Sequence, residues 1–313
     1  MITLVQLEYV VAVDSYRHFA TAAERCFVTQ PTLSMQIKKL EDDLGIKIFD
    51  RTKQPVVPTD IGKLFIEQAR KTLAESGRLN ELVKSHLGIL SGELRLGIIP
   101  TLGPYLLPLF AGTFKKKFPE VTLHIEEIVT ESIAEKLRTD QLDAGIFVTP
   151  FDDPGIIEQA LFYEEMLIYA HQGHSLLQKP LIEVADLNSP DIWLLNDGHC
   201  FRSQVINLCA LTPGSRQELP FDLEGGSLET LMRIIRREGG FTIIPELTAN
   251  ELGTEERSSL ARFSGQIPLR EVSLCYSRNY VKYNLLQKLS ETIIACVPAT
   301  MRNKERGELV TWK

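Results

Sequence analysis

Cys200 and Cys209, two of the chain's five cysteines, lie in the stretch Asn196-Asp197-Gly198-His199-Cys200-Phe201-Arg202-Ser203-Gln204-Val205-Ile206-Asn207-Leu208-Cys209. The apolar run Ile192 to Leu195 leads into it and predicts a short buried strand. Asp197 and Gly198 then break the chain before a helical pattern begins. Cys200 is thus expected near a helix N-terminus, with His199 before it and Arg202 just after, a setting that favours a thiolate. On one continuous helix the step from Cys200 to Cys209 is about 900° of rotation and about 13.5 Å of rise, which puts the sulfurs on opposite faces. Disulfide geometry requires Cα atoms within about 7 Å. Any bond between the two therefore requires the intervening segment to unfold, which would make it a switch and not a staple. The competing reading is two inert cysteines, one half-exposed and one buried. A metal site built on His199 and the two cysteines matches none of the usual zinc spacings.

The totals bound the rest. A chain of 313 residues should hold more than one domain. Odd, sparse cysteine usage suits a reducing compartment. The start Met1-Ile2-Thr3-Leu4 shows no secretory leader, and no apolar run of about 20 residues predicts a membrane span, so the cytoplasm is expected. Net charge is −7, unevenly distributed. Residues 1–90 hold 12 basic and 11 acidic side chains, and the rest hold 22 and 30. A local basic patch in the N-terminal part is therefore compatible with phosphate binding but is not demanded by the total.

Leu4, Leu7, Val10 and Val11 have helical spacing, and so do Phe19, Ala22, Ala23 and Cys26. A turn at Phe27-Val28-Thr29 leads into a third helix over about 30–44, with Thr29 as cap, Pro31 in the first turn, Leu33, Ile37 and Leu40 inward, and Gly45 at the end. That order is a helix-turn-helix layout. The outward face carries Gln30, Thr32, Ser34, Gln36, Lys38 and Lys39, whose amides and hydroxyls suit base edges and whose lysines suit phosphates. Lys47–Asp50 and Pro55–Val57 predict a two-stranded wing, with Arg51 and Lys53 at its tip. Thr59 and Asp60 cap a long helix to about His86, whose seam of Ile61, Leu64, Phe65, Leu73, Leu79, Leu82 and Val83 suggests pairing with a second chain.

Further on, strands at 94–99, 121–128 and 142–148 alternate with helices, and a second series runs through Met166–Ala170, Ile192–Leu195, Phe221–Leu223, the helix Ser227–Arg237, Phe241–Ile244 and Val272–Tyr276 to a final helix over about 281–297. Thr101, Thr130 and Ser227 each stand at a predicted helix start, where they can cap and also line a cleft between two α/β lobes. Cys26, Cys275 and Cys296 fall on apolar faces and are expected to be structural.

Phe19-Ala20-Thr21-Ala22-Ala23-Glu24, Thr29-Gln30-Pro31-Thr32-Leu33-Ser34-Met35-Gln36-Ile37-Lys38-Lys39-Leu40-Glu41, Ile48-Phe49-Asp50-Arg51 and Thr59-Asp60-Ile61-Gly62 resemble the winged helix-turn-helix of LysR-type transcriptional regulators, and the later segments follow that family's order. The resemblance implies an α/β fold of three parts. These are a DNA-binding domain over about 1–58, a linker and dimerisation helix over about 59–88, and a two-lobed regulatory domain like the periplasmic binding proteins over about 89–313. Lobe I would span about 89–163 and 268–313, and lobe II about 164–267.

Within the family, Gly198-His199-Cys200-Phe201-Arg202-Ser203-Gln204 with Cys209, together with Ile99 to Pro108 and Ser227 to Leu231, resembles the peroxide-sensing members. That likeness implies a peroxidatic Cys200 and a resolving Cys209, and a peroxide pocket shaped by Thr101, Thr130, His199 and Arg270, with Ser227 and Arg202 nearby. It also implies double-stranded DNA with a pseudo-palindromic site, RNA polymerase, a thiol reductant such as glutaredoxin or thioredoxin, and further copies of the chain in a dimer or tetramer as partners, with no cofactor. Ser203 departs from the acidic residue usual in those members. Two other readings remain open from sequence: a regulator responding to a small metabolite in the cleft, and a thiol peroxidase, which would leave the first 57 residues without a role.

Overall fold

Local signals place the N-terminal helices. In the computed structural model, residues 1–86, 90–187, 189–196, 200–209, 227–278 and 282–311 are described. Helix α1 (Leu4–Tyr16) starts with a capping box in which Thr3 and Gln6 satisfy each other's backbone groups. Helix α2 (Phe19–Arg25) follows a left-handed Arg17 and is capped by His18. Helix α3 (Gln30–Leu44) ends at Gly45 with φ +67°. Leu33, Ile37 and Leu40 are buried, in a core that they form with Val10, Val13, Ala22, Ala23 and Phe49. Thr29 holds the cap position, but its hydroxyl bonds that of Thr32 (2.8 Å) and no backbone N–H, a correction to the expected side-chain cap.

The wing is shorter than expected: β1 (Phe49–Asp50) pairs antiparallel with β2 (Val57–Pro58). Its anchor is Glu41, which is buried on α3. The Glu41 carboxylate accepts the backbone N–H groups of Ile48 (2.8 Å) and Phe49 (3.2 Å) and an Arg51 guanidinium N–H (3.1 Å). Helix α4 runs Asp60–His86, opened by the Thr59 hydroxyl on the Gly62 N–H (3.0 Å). Gly62 is required here, because a Cβ would lie 2.0 Å from the Ile48 carbonyl oxygen. Ile66, Ala69 and Ala74 bury one side of α4, while Ile61, Leu64, Leu79, Leu82 and Val83 remain exposed.

Two compact units result. One is Met1–Leu90 with the short segments Arg138–Gln141 and Ser277–Leu285, and the other is the remainder. In the second, β3 (Gly92–Ile98), α5 (Gly103–Lys117), β4 (Val121–Glu127), α6 (Thr130–Arg138) and β5 (Ala144–Thr149) form the expected alternation, with β3 parallel to both β4 and β5. The next element is one continuous strand, β6 (Ile156–Ala170), where sequence had predicted only its last five residues. Helix α7 is Cys200–Leu208, α8 is Leu228–Glu238, and β7 (Phe241–Pro245) runs into the short helix α9 (Glu246–Asn250). β8 (Leu260–Ala261), β9 (Pro268–Ser277), α10 (Tyr283–Cys296) and β10 (Glu308–Leu309) follow.

The strand order is β4-β3-β5-β9-β6-β7, with β9 antiparallel to β5 and β7 antiparallel to β6, so the sheet is mixed and not purely parallel. Ile192–Leu195 is not a strand. Ile192 makes an isolated bridge to Phe241, and the run is held by the core contacts of Ile192, Trp193 and Leu195. The expected strand Phe221–Leu223 lies outside the described residues.

Candidate functional site

Cys200 is the first residue of α7 and is 5% exposed. Its sulfur accepts a hydrogen bond from the Thr130 hydroxyl at 3.5 Å. Thr130 is the first residue of α6. The carbonyl before it, that of Val129, takes the Ile133 N–H, so Thr130 turns its hydroxyl to the sulfur and does not cap the helix. Thr101 is not a side-chain cap either: α5 has none. Its buried hydroxyl oxygen accepts from Arg270 Nη1 (3.1 Å), and its carbonyl accepts from Nη2 (3.3 Å). Both threonines were expected to cap, and burial beside a thiol and a guanidinium redirects them.

Arg270, on β9, is fully buried. Its charge is met by the equally buried Glu164 of β6, whose Oε1 accepts from Nε (2.7 Å) and lies 2.6 Å from Nη2. The Phe201 ring covers the guanidinium at 5.0 Å. Glu164 was not singled out in sequence, and within Tyr163-Glu164-Glu165-Met166 nothing marks it as buried.

The expected thiolate is corrected by burial. Desolvation pushes the Cys200 thiol above its ordinary range, opposed by the Thr130 hydrogen bond, then by the Arg270 charge, with Glu131 adding to the rise and the Phe201 backbone opposing it. Cys209 follows the end of α7, its N–H still bonded to the Val205 carbonyl (2.9 Å), and it is buried in the core around Trp193 and Phe241. Its thiol is pushed up to about 12 by burial. Both cysteines are free thiols, neither is half-exposed, and the helix between them is intact. Cys275 is buried, and Cys26 and Cys296 are half-buried.

His199 lies outside the described residues. Arg202 is not among the residues lining the cavity beside Ser227. It donates to the Leu195 carbonyl at 2.8 Å and ties α7 to the run before it. Ser227 does cap α8, bonding the Thr230 N–H at 3.4 Å, and it lines a cavity of about 450 Å³ with Pro100, Tyr105, Glu127, Val129 and Leu228. Cys200 is not among that cavity's lining residues.

A further feature went unread in sequence. Gln204, buried on α7, donates to the Val310 carbonyl (2.9 Å), and Asn207 donates to that of Thr311 (3.1 Å). This strap is fixed in turn by β10 pairing parallel to β9. In the DNA-binding unit, Gln30 and Lys38 are exposed and Thr32 and Gln36 half-buried on the outward face of α3. Ser34 and Arg51 are bonded to each other at 3.2 Å, and Arg51 also lies over the Phe19 ring at 4.9 Å.

Residues 4–63 match the family model described as a bacterial regulatory helix-turn-helix protein of the lysR family, and residues 88–310 match the LysR substrate binding domain. A hydrogen peroxide-inducible genes activator of Haemophilus influenzae is 35% identical over 287 residues, covering 92% of this chain and 94% of that one. The DNA-binding transcriptional dual regulator OxyR of Escherichia coli is 37% identical over 241 residues, 77% and 78% of the two chains. A solved structure of a full-length OxyR variant from Pseudomonas aeruginosa superposes with a TM-score of 0.78 at 32% identity, covering 95% of this chain and 99% of that one.

Proposed function

The chain belongs to the LysR family of bacterial transcription regulators, and from that premise we propose that it is an activator of oxidative-stress genes that senses hydrogen peroxide through Cys200 and Cys209. The observation that carries this reading is the buried Cys200 sulfur at the start of α7, with the Thr130 hydroxyl on it, a guanidinium nearby, and a second thiol one helix length away. The relatives' names agree with it.

Peroxide enters as a neutral molecule, which a buried site admits without a desolvated charge. The Cys200 thiolate attacks one peroxide oxygen, the O–O bond breaks, and the departing hydroxide takes a proton and leaves as water. Thr130 stabilises the thiolate. Thr101, whose oxygen is occupied by Arg270, has its hydroxyl proton to offer the second peroxide oxygen, and Arg270 stabilises the charge developing there. Cys200 is then a sulfenic acid. Helix α7 unwinds, the Cys209 sulfur attacks the Cys200 sulfur, the S–O bond breaks, and a second water leaves as the disulfide forms. A thiol reductant such as glutaredoxin or thioredoxin returns the pair to dithiols.

The three-part division near residues 58 and 88 belongs to this reading. Gln30, Thr32, Gln36 and Lys38 face double-stranded DNA, with Ser34 and Arg51 at the edge of that face. The exposed seam of α4 pairs two copies, so that a pseudo-palindromic site meets two recognition helices. Refolding of α7 alters the assembly of dimers or tetramers and its contacts with RNA polymerase in the cytoplasm. The chemistry serves regulation and not turnover. The test is mass analysis after one equivalent of peroxide, with Cys200→Ser alongside. A Cys200–Cys209 disulfide in the wild type, and DNA binding without peroxide response in the variant, is the expected result. A variant that still responds overturns it.

A further inference from the structure

We propose that Glu164 is a positioning residue for the peroxide reaction: its carboxylate holds the Arg270 guanidinium on Thr101 beside Cys200 and offsets part of its charge there. The proposal rests on the reading of Cys200 as the peroxide-reactive thiol.

Both members of the Arg270–Glu164 pair are 0% exposed. Removing two ions from water is costly, and a buried pair is often no more stabilising than apolar side chains of the same volume. Stability alone therefore does not account for an ion pair at this depth, whereas its position does. Nε and Nη2 of Arg270 meet Glu164 Oε1, Nη1 and Nη2 meet Thr101, and the ring of Phe201, the residue after Cys200, lies over the guanidinium. Glu164 is itself fixed, because its Oε2 accepts the Leu247 N–H at 3.1 Å from the first turn of α9. One carboxylate thus ties β6, α9 and β9 to the threonine in the turn after β3.

The charge has a second consequence. Arg270 favours the thiolate of Cys200, and a carboxylate on the same guanidinium weakens that pull. Among the described residues, the groups that act on the sulfur are Arg270 from β9, Thr130 and Glu131 from α6, and the Phe201 backbone of its own helix. Behind Arg270 stand Glu164 and, beyond it, Glu246. Glu164 therefore governs two separable quantities, the place of the guanidinium and its net charge.

Two substitutions separate them. Glu164→Asp keeps the charge and withdraws the carboxylate by one methylene. Glu164→Gln keeps an oxygen acceptor and removes the charge. In a Cys209→Ser background, which halts the reaction at the sulfenic acid, the rate of Cys200 oxidation by hydrogen peroxide is followed by intact mass with a sulfenic-acid trap from pH 5 to 9, and melting curves are recorded in parallel. Glu164→Asp is expected to slow oxidation by about tenfold to a hundredfold, the cost of a misplacement on the ångström scale, with the pH dependence unmoved. Glu164→Gln is expected to move the rise of rate with pH to lower pH. Lower melting temperatures with wild-type rates and pH dependence in both variants would make Glu164 a structural tie only and overturn the proposal. If Glu164→Gln does not fold, the Asp variant decides alone, and a wild-type rate there refutes it. A wild-type chain whose Cys200 forms no sulfenic acid refutes the functional reading itself, and this proposal with it.

Discussion

Replacing Thr130 by valine preserves the volume of the side chain at the start of α6 and removes its hydrogen bond to the Cys200 sulfur, the one side-chain bond to that sulfur among the described residues. A hydrogen bond to a charged acceptor contributes about 1.5–3 kcal/mol and one to a neutral acceptor about 0.5–1.5 kcal/mol. The thiolate therefore loses about 1–1.5 kcal/mol more than the thiol does. Because burial already holds the thiol protonated, the loss deepens an existing deficit, and the share of thiolate at neutral pH falls about tenfold. The second-order rate of oxidation by hydrogen peroxide should fall by the same factor. The gap should close as pH rises, since at high pH both proteins are thiolate. Thr130→Ser should retain most of the wild-type rate. The assay is rapid-quench oxidation at several pH values, read by intact mass. A valine variant that matches wild type at neutral pH would show that the hydroxyl does not support the reactive form, and a tenfold loss that persists at high pH would assign it to holding peroxide instead.

The strap on α7 gives a second expectation. Gln204→Ala removes the bond to the Val310 carbonyl from the dithiol form, where the helix is intact. At about 0.5–1.5 kcal/mol for that bond and about 30 mV per 1.4 kcal/mol, the midpoint of the Cys200–Cys209 couple should become more negative by about 10–30 mV in a thiol-disulfide titration; a shift to more positive values would contradict the strap's role. The buried thiols predict an alkaline weakness. A thiol whose folded value is raised contributes stability that is whole below its ordinary value of 9.0 and is lost as pH rises through the folded value, about 12 for Cys209. Melting temperature should drop above pH 9 and drop less steeply in Cys209→Ala. Equal slopes would mean that Cys209 does not carry the effect.

Much of the DNA-binding half could be read directly, because its signals are local. The apolar period of α3, Gly45 behind it and Thr59 ahead of α4 all act within one or two turns. The regulatory half was legible as alternation but not as connectivity. β6 carries fifteen residues past two segments of sheet, and its Glu164 and Glu165 are both buried where a strand's alternation would expose one of them. Ile192–Leu195 has the composition of a strand but makes a single bridge to Phe241 at the start of β7; the Trp193 carbonyl then takes the Thr242 hydroxyl, and Ile192, Trp193 and Leu195 fill the core. At the site, Cys200 and Cys209 could be found from spacing, whereas Arg270 could be named only through family likeness. The partners that give Arg270 its place, Thr101 and Glu164, lie 169 and 106 residues away along the chain. The strap from Gln204 to Val310 spans 106 residues for the same reason. Capping predicted from a threonine beside a helix failed at Thr29, whose hydroxyl bonds that of Thr32, and at Thr101 and Thr130, where a buried guanidinium and a buried thiol compete for the hydroxyls.

The depth of Cys200 also makes the protein a gauge of its own breathing. At 5% exposure Cys200 presents little surface to a bulky maleimide while α7 is in place, so such a reagent is expected to need a local opening of the helix. Alkylation by such a reagent is therefore gated by spontaneous opening of the helix, and its rate reports how often the closed form opens. The proposed joining of Cys200 to Cys209 requires the same opening. One labelling time course in the absence of any oxidant thus measures how readily the resting protein visits the opening that the proposed disulfide requires.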